Sequence, residues 1–155
     1  MLRKVFALLL VVSLAVPAFA ADYPTQNING VVQWGAGGGT DSLMRPLSAI
    51  AEQTPDINFV GLEAESTVLY AAARKVRDKS LGNVRLAVFN VANIDEIFAE
   101  HEVDRIYINF CDPWPRNKHA KRRLTNINFL DKYRRILKPH GELHFKTDNR
   151  PLFEY

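Results

Sequence analysis

Five short apolar runs alternate along the chain with segments of helical periodicity, and this alternation restricts the possible folds more than any other feature. The runs lie at residues 28–34, 57–63, 84–89, 104–110 and 142–146. Strands that alternate with helices are typical of βαβ units, in which the strands pair in parallel. We therefore expect an α/β fold with a doubly wound parallel sheet of five strands, and 155 residues suffice for one such core.

The helical segments between these runs differ in length. Residues 64–79 and 125–137 have apolar side chains at helical spacing, and residues 94–99 are expected to form a short helix. Pro139 and Gly141 are expected to end the helix at 125–137 and to separate it from the last strand.

Residues 1–20 are typical of a secretory signal peptide. Arg3 and Lys4 precede the apolar run 5–16, and an Ala-Phe-Ala sequence ends at Ala20. The run is shorter than the roughly 20 residues that a membrane span requires. We therefore expect cleavage after Ala20, export to the periplasm and no stable membrane span in the mature chain.

A glycine-rich turn follows the first strand, at Gly35, Gly37 and Gly39, and Thr40 or Asp41 can cap the helix after it. Backbone N–H groups at such a helix start favour an anionic ligand. The alternative is that the glycines only permit a tight strand-to-helix connection.

The leader and residues 31–41 (VVQWGAGGGTD) resemble the start of a periplasmic receptor of the tripartite tricarboxylate transporters. The resemblance covers about the first 50 residues and implies that residues 21–52 form a receptor-like strand, turn and helix. In that family the matching loop holds a substrate carboxylate through backbone amides, which gives one candidate function.

Polar side chains follow the later strands, where ligands of parallel sheets gather. Glu63 lies 24 residues beyond Gly39, close to the spacing at which an acidic residue binds a ribose. Asn90, Asp112 and Asp148 follow the next strands. Asn90 can hydrogen-bond a base edge, but it is equally an ordinary loop asparagine.

Residues 109–124 (NFCDPWPRNKHAKRRL) closely resemble the signature of bacterial tRNA (guanine-N7)-methyltransferases, and residues 145–155 match a second segment of that family. The resemblance covers about residues 53–155. It implies a partial Rossmann-like methyltransferase domain, S-adenosyl-L-methionine as cofactor and tRNA as partner. The implied cofactor-binding residues are Gly35, Gly37, Gly39, Glu63, Asn90 and Asp112.

Asp112 is the expected catalytic residue, presented by a turn that Pro113 and Pro115 stiffen. Guanine N7 already carries a lone pair, so methyl transfer requires mainly alignment of the reacting atoms. A nearby carboxylate would stabilise the positive charge that develops on the purine. The alternative is an aspartate that only caps the turn.

Residues 116–123, named here the basic loop, follow Asp112 and are expected to bind RNA phosphates. The expected substrate-binding residues are Arg116, Lys118, His119, Lys121, Arg122, Arg123 and Asp148. A solvated charged loop is the alternative for the basic residues, and helix capping is the alternative for Asp148.

His101, His140 and His144 lack a compact ligand spacing, so no metal is expected. The leader predicts export, whereas a tRNA-modifying enzyme is expected in the cytoplasm. We therefore expect a fusion whose junction lies between residues 43 and 53. The two candidate functions are a methyltransferase, expected to be truncated, and a periplasmic carboxylate-binding receptor.

Overall fold

The computed structural model describes residues 28–34 and 40–155, with side chains from Leu47 onward. The predicted signal peptide and the glycines Gly35, Gly37 and Gly39 lie outside these ranges. The strands are β1 (Ile28–Trp34), β2 (Asn58–Glu63), β3 (Val84–Val88), β4 (Val103–Asn109) and β5 (Leu137–Lys146). The α-helices are α1 (Thr40–Gln53), α2 (Ser66–Asp78), α3 (Ile127–Ile136) and α4 (Arg150–Phe153), and 3-10 helices lie at Val91–Glu96 and Asn117–Arg122.

The strands form one parallel sheet of order β3-β2-β1-β4-β5, which confirms the predicted doubly wound fold. The register aligns the carboxyl ends of neighbouring strands: Glu63 pairs with Val88, and Asn109 of β4 pairs with both Trp34 of β1 and Lys146 of β5. The residues that follow the strands therefore meet at one edge of the sheet.

Two hydrophobic cores cover the two faces of the sheet. On one face α1 and α2 pack against β2 and β3, as Leu47, Ala51 and Leu69 contact this core around Phe59. On the other face the buried residues come from β2, β4, α3, α4, the first 3-10 helix and the segments after that helix and after β4. They are Leu62, Val91, Ile94, Phe98, Val103, Ile106, Ile108, Cys111, Tyr133, Ile136 and Leu152. Full burial of each large apolar side chain contributes roughly 1.5–3 kcal/mol. The two cores therefore stabilise the sheet, and with it the edge where the polar residues lie.

The expected interruption between α3 and the last strand is present, although α3 ends at Ile136 and β5 begins at Leu137. Residues 138–141 lie opposite Asp104 alone, His140 has a φ of 67°, and regular pairing with β4 starts at Glu142, as predicted. Pro139 and Gly141 lie inside β5, where the β4–β5 register is irregular. Proline is tolerated in an edge strand because its missing N–H does not interrupt an inner ladder. A Cβ at Gly141 would lie 2.9 Å from the carbonyl oxygen of Lys138, so the chain passes too closely for a side chain.

The short helix expected at 94–99 is a 3-10 helix at Val91–Glu96. It begins early because the side chain of Asn90 accepts a hydrogen bond from Ala92 N and caps it. Over the part of the chain that the structure describes, no helix is long and apolar enough to cross a membrane.

Candidate active site

Glu63 ends β2 inside the protein, with only 2% of its surface exposed. Its Oε1 accepts a hydrogen bond of 2.9 Å from Glu65 N, whereas its buried Oε2 has no hydrogen-bond partner among the described residues. A buried acceptor without a partner costs about 1–3 kcal/mol. Such a cost points to a ligand donor at this position.

The surroundings of Glu63 disfavour its charge. Burial is the main reason that the pKa of Glu63 is raised, and the negative charges of Glu65 and Asp112 act in the same direction. Hydrogen bonds from the backbone of Glu65 and Ala64 oppose this shift. The backbone also fixes the strand end, because Phe89 N donates to the Glu63 carbonyl oxygen at 2.8 Å.

Asn90 follows β3 on the surface beside this strand end. Its Oδ1 accepts from Ala92 N at 3.0 Å, so the cap occupies the oxygen. The amide NH2 group is then the part of Asn90 that can donate to a ligand. A cap and a ligand contact are compatible at this residue.

Cys111 and Asp112 follow β4 at the carboxyl edge of the sheet. Cys111 is buried, and burial together with the charge of Asp112 raises the pKa of its thiol to about 11. A thiol with that pKa stays protonated at neutral pH and is a poor nucleophile. Asp112 is half-buried, and burial raises the pKa of its carboxyl group.

Arg123 does not lie on the surface of the basic loop, since only 8% of it is exposed. Its Nε donates to the Pro113 carbonyl oxygen at 3.1 Å, and its Nη2 donates to the Trp114 carbonyl oxygen at 3.1 Å. Its guanidinium carbon lies 4.2 Å from the ring centre of Tyr155. These contacts favour a structural role for Arg123 over the expected contact with RNA.

The rest of the basic loop faces solvent more openly. Arg116, Lys118, Lys121 and Arg122 are exposed, and the side chains of the first three make no hydrogen bond or ion pair with any residue in the described ranges. Arg122 lies 5.0 Å from the ring centre of Trp114, which His119 contacts edge-on at 5.6 Å. The loop therefore presents several cations beside Asp112, and an aromatic ring among them.

Asp148 follows β5 and is exposed. Its neighbour Asn149 makes the helix cap that was the alternative role for Asp148. Asn149 Oδ1 accepts a hydrogen bond from Leu152 N at 2.9 Å at the start of α4. The carboxylate of Asp148 is thus not needed for the cap. Within the described ranges, no group of three or more His, Cys, Asp or Glu side chains is arranged to hold a metal ion.

Two residues around Arg123 were missed by the sequence reasoning. Tyr155 stacks on its guanidinium, and Asn126 Nδ2 donates to the Tyr155 hydroxyl at 3.0 Å. Asn126 also caps α3, since its Oδ1 accepts from Asn128 N. An asparagine just before a helix is a recognisable capping signal, whereas nothing in the sequence indicates its bond to Tyr155.

A parallel sheet with this strand order and with polar groups at its carboxyl edge defines the Rossmann-like class of ligand-binding α/β proteins. The chain belongs to the family of putative methyltransferases, whose model matches residues 32–155. The match begins within β1, upstream of the expected junction at residues 43–53. The division into 1–20, 21–52 and 53–155 stays a prediction, as does the fusion.

Curated relatives agree with this family. The chain is 48% identical over 109 residues to a tRNA (guanine-N(7)-)-methyltransferase of Bacillus velezensis, covering 70% of this chain and 50% of the relative. It is 47% identical over 109 residues to the protein of the same name from Streptococcus pneumoniae, covering 70% and 52%. The chain thus spans about half the length of the curated relatives it matches.

Solved structures share the fold at low identity. TrmN from Thermus thermophilus superposes with a TM-score of 0.60 at 18% identity, covering 83% of this chain and 36% of that protein. Phosphoethanolamine N-methyltransferase 1 of Haemonchus contortus gives a TM-score of 0.57 at 17% identity, covering 81% and 23%. These likenesses show a Rossmann-like methyltransferase fold and lend nothing to the receptor alternative.

Proposed function

We propose that this chain carries the cofactor and catalytic part of an S-adenosylmethionine-dependent tRNA (guanine-N7)-methyltransferase. The observation that carries the proposal is the edge of the sheet, where a buried carboxylate without a full set of partners lies near Asp112 and the basic loop. The names of the relatives supply the substrate class. No observation on the described residues favours the receptor.

Glu63 fits the ribose of such a cofactor. Its unpartnered Oε2 needs a donor, and a ribose hydroxyl supplies one in a site that excludes water. Asn90 would donate to the adenine edge through its NH2 group. Gly35, Gly37 and Gly39 are assigned to the cofactor by their place between β1 and α1, as in other strand-to-helix ligand turns. When bound, the cofactor would supply a methyl group on a sulfonium centre.

Asp112 serves the acceptor base in this proposal. Its half-buried carboxylate lies at the mouth of the site, where the guanine acquires positive charge as N7 is methylated. No proton has to leave N7, so Asp112 acts by orientation and charge and needs no basicity. Its raised pKa follows from burial, and the carboxyl group must be ionised to stabilise the purine.

The exposed cations would hold the tRNA backbone. Arg116, Lys118, Lys121 and Arg122 stand beside Asp112 and attract phosphates, with His119 at the rim of the same surface. Asp148, which the cap of α4 leaves available, would contact the substrate from the neighbouring strand end. Together these residues form the proposed substrate side of the site.

Methyl transfer to unmodified tRNA tests the proposal. The full chain is incubated with methyl-labelled S-adenosylmethionine, and N7 methylation is detected by strand cleavage after borohydride and aniline treatment. We expect label at guanine N7 and a loss of about 100- to 1000-fold in kcat for Asp112→Asn, the range seen when one preorganised electrostatic group is removed. Asp56→Asn, an exposed change before the amino end of β2 and thus at the opposite edge of the sheet, is the matched control.

A folded wild-type chain that transfers no label, or that labels another atom, would contradict the proposal. Asp112→Asn with unchanged kcat would remove Asp112 from the catalytic role.

The predicted fusion needs a test of its own, which is sequencing of the source DNA across codons 43–53. An uninterrupted natural reading frame found in independent isolates excludes an artefact.

A further inference from the structure

The segment that presents Asp112 is strained. Trp114, two residues beyond Asp112, has a φ of 42°, in the left-handed region that side chains rarely adopt. Trp114 also precedes Pro115, and a following proline restricts the backbone further. A backbone of this kind persists only where the surrounding structure holds it.

Hydrogen bonds from Arg123 keep this backbone in place. Its guanidinium donates to the carbonyl oxygens of Pro113 and Trp114 at 3.1 Å each, so one planar group fixes the peptides on both sides of Trp114. Charged donors make stronger hydrogen bonds than neutral ones, and the fixed fork of arginine suits two acceptors at once. The Tyr155 ring covers the guanidinium at 4.2 Å and is itself held by Asn126.

We propose that Arg123, clamped between Tyr155 and the Pro113 and Trp114 carbonyls, is a positioning residue that sets the place of Asp112 and of the Trp114 ring. In this role it does not contact RNA. The geometry separates it from Arg122, its neighbour, which is exposed and lies over the outer face of the same indole. The inference rests on the proposed function for its kinetic consequence and on geometry alone for its structural one.

The first test needs no activity. The full chain, labelled with 5-fluorotryptophan, gives two fluorine resonances, from Trp34 and Trp114, and Trp114→Phe assigns them. Arg123→Lys keeps the charge but loses the planar fork that holds both carbonyls at a fixed spacing, so we expect the Trp114 resonance to shift and broaden while the Trp34 resonance stays in place. Arg134→Lys, an exposed change on α3, should alter neither resonance.

The second test is kinetic. We expect Arg123→Lys to lower kcat by about 10- to 100-fold, the scale of a small misplacement of reacting groups. Its KM for tRNA should stay within about twofold, since no RNA contact is lost. Arg122→Gln should instead raise KM and reduce the salt dependence of binding. An unmoved Trp114 resonance, or an Arg123→Lys variant that behaves as Arg122→Gln does, would overturn the proposal.

Should Arg123→Lys fail to fold, the exposed end of the clamp gives a second route. Tyr155→Leu removes the ring from the guanidinium, whereas Tyr155→Phe keeps the ring and loses only the hydroxyl. We expect the Trp114 resonance to move in the leucine variant and to stay in the phenylalanine variant. An unmoved resonance in Tyr155→Leu overturns the clamp, whereas a chain without transferase activity overturns only the proposed function.

Discussion

The two carboxylates of the site are held in different ways. Glu63 belongs to an inner strand, and its position follows from pairing with β1 and β3 and from burial in the sheet. Asp112 stands on a loop, and side chains from later in the chain, Arg123 above all, fix the peptides beside it. In the proposed function the strand would build the cofactor side of the site, and the loop contacts would build the substrate side.

Because of this difference, a substitution in one half of the site should leave the structure of the other half unchanged. A change at Glu63 leaves the loop contacts intact, and a change in the basic loop leaves the β2–β3 pairing intact. Sites more than about 7–10 Å apart without shared partners usually contribute independently. The charges of Glu63 and Asp112 are coupled, so these two are the exception.

The largest difference between the effect on tRNA binding and the effect on cofactor binding is expected from substitution of the exposed cations of the basic loop. Replacing Arg116, Lys118, Lys121 and Arg122 together by glutamine should weaken tRNA binding about 100-fold near 0.1 M salt and lower the salt slope by about one unit per lost phosphate contact. Binding of S-adenosylhomocysteine should not change, because none of these side chains contacts Glu63. Filter binding over a salt series and calorimetry measure the two quantities.

Replacement of Arg74 and Arg77 on α2 and of Arg134 and Arg135 on α3 by glutamine is the matched control for charge, because it also removes four cations and all four lie outside the basic loop. A similar loss of tRNA affinity in this control would mean that overall charge, and no particular surface, binds the RNA. Equal losses of cofactor and tRNA affinity in the loop variant would contradict the separation of the two halves.

A smaller effect is expected on stability at Glu63. Burial raises the pKa of its carboxyl above the ordinary value of 4.5, so the folded chain holds this proton more tightly than the unfolded chain does. The resulting penalty is absent below pH 4.5 and complete above the raised pKa. Glu63→Gln carries no charge that burial would penalise, so it should raise the free energy of unfolding by about 1 kcal/mol at neutral pH.

Denaturant titrations of the wild type and Glu63→Gln at pH 4 and pH 7 check the sign. The variant should gain stability at pH 7 and little or nothing at pH 4, and Glu96→Gln should gain at neither. A variant less stable than the wild type at pH 7 would mean that the charged carboxylate already has the partners it needs.

Much of the fold could be predicted because apolar runs and their spacing report directly on buried strands. The five strands and the alignment of their polar ends follow from that pattern. Pro139 and Gly141 likewise mark the interruption that precedes the regular pairing of residues 142–146 with β4. The sequence could not show that α3 and β5 follow each other without a gap, because that depends on the neighbouring strand β4.

The place of the candidate residues at the strand ends could be predicted from the sequence, whereas their contacts could not. A run of cations indicates a basic loop, but burial selects Arg123 from the run through contacts with a loop and with Tyr155, far along the chain. Likewise two side chains at Asp148 and Asn149 can each cap a helix, and only the backbone geometry assigns the cap to Asn149. Long-range contacts decide both cases.

The most direct test of the account is a calorimetric titration of S-adenosylhomocysteine into the full chain and into Glu63→Gln. The variant keeps the side chain's shape and is expected to be the more stable protein, so weaker binding would not reflect unfolding. We expect the wild type to bind and the variant to bind at least about tenfold more weakly, since hydrogen bonds to a charged group contribute about 1.5–3 kcal/mol. Equal affinity, or no binding by a folded wild type, would contradict the claim that Glu63 holds the cofactor.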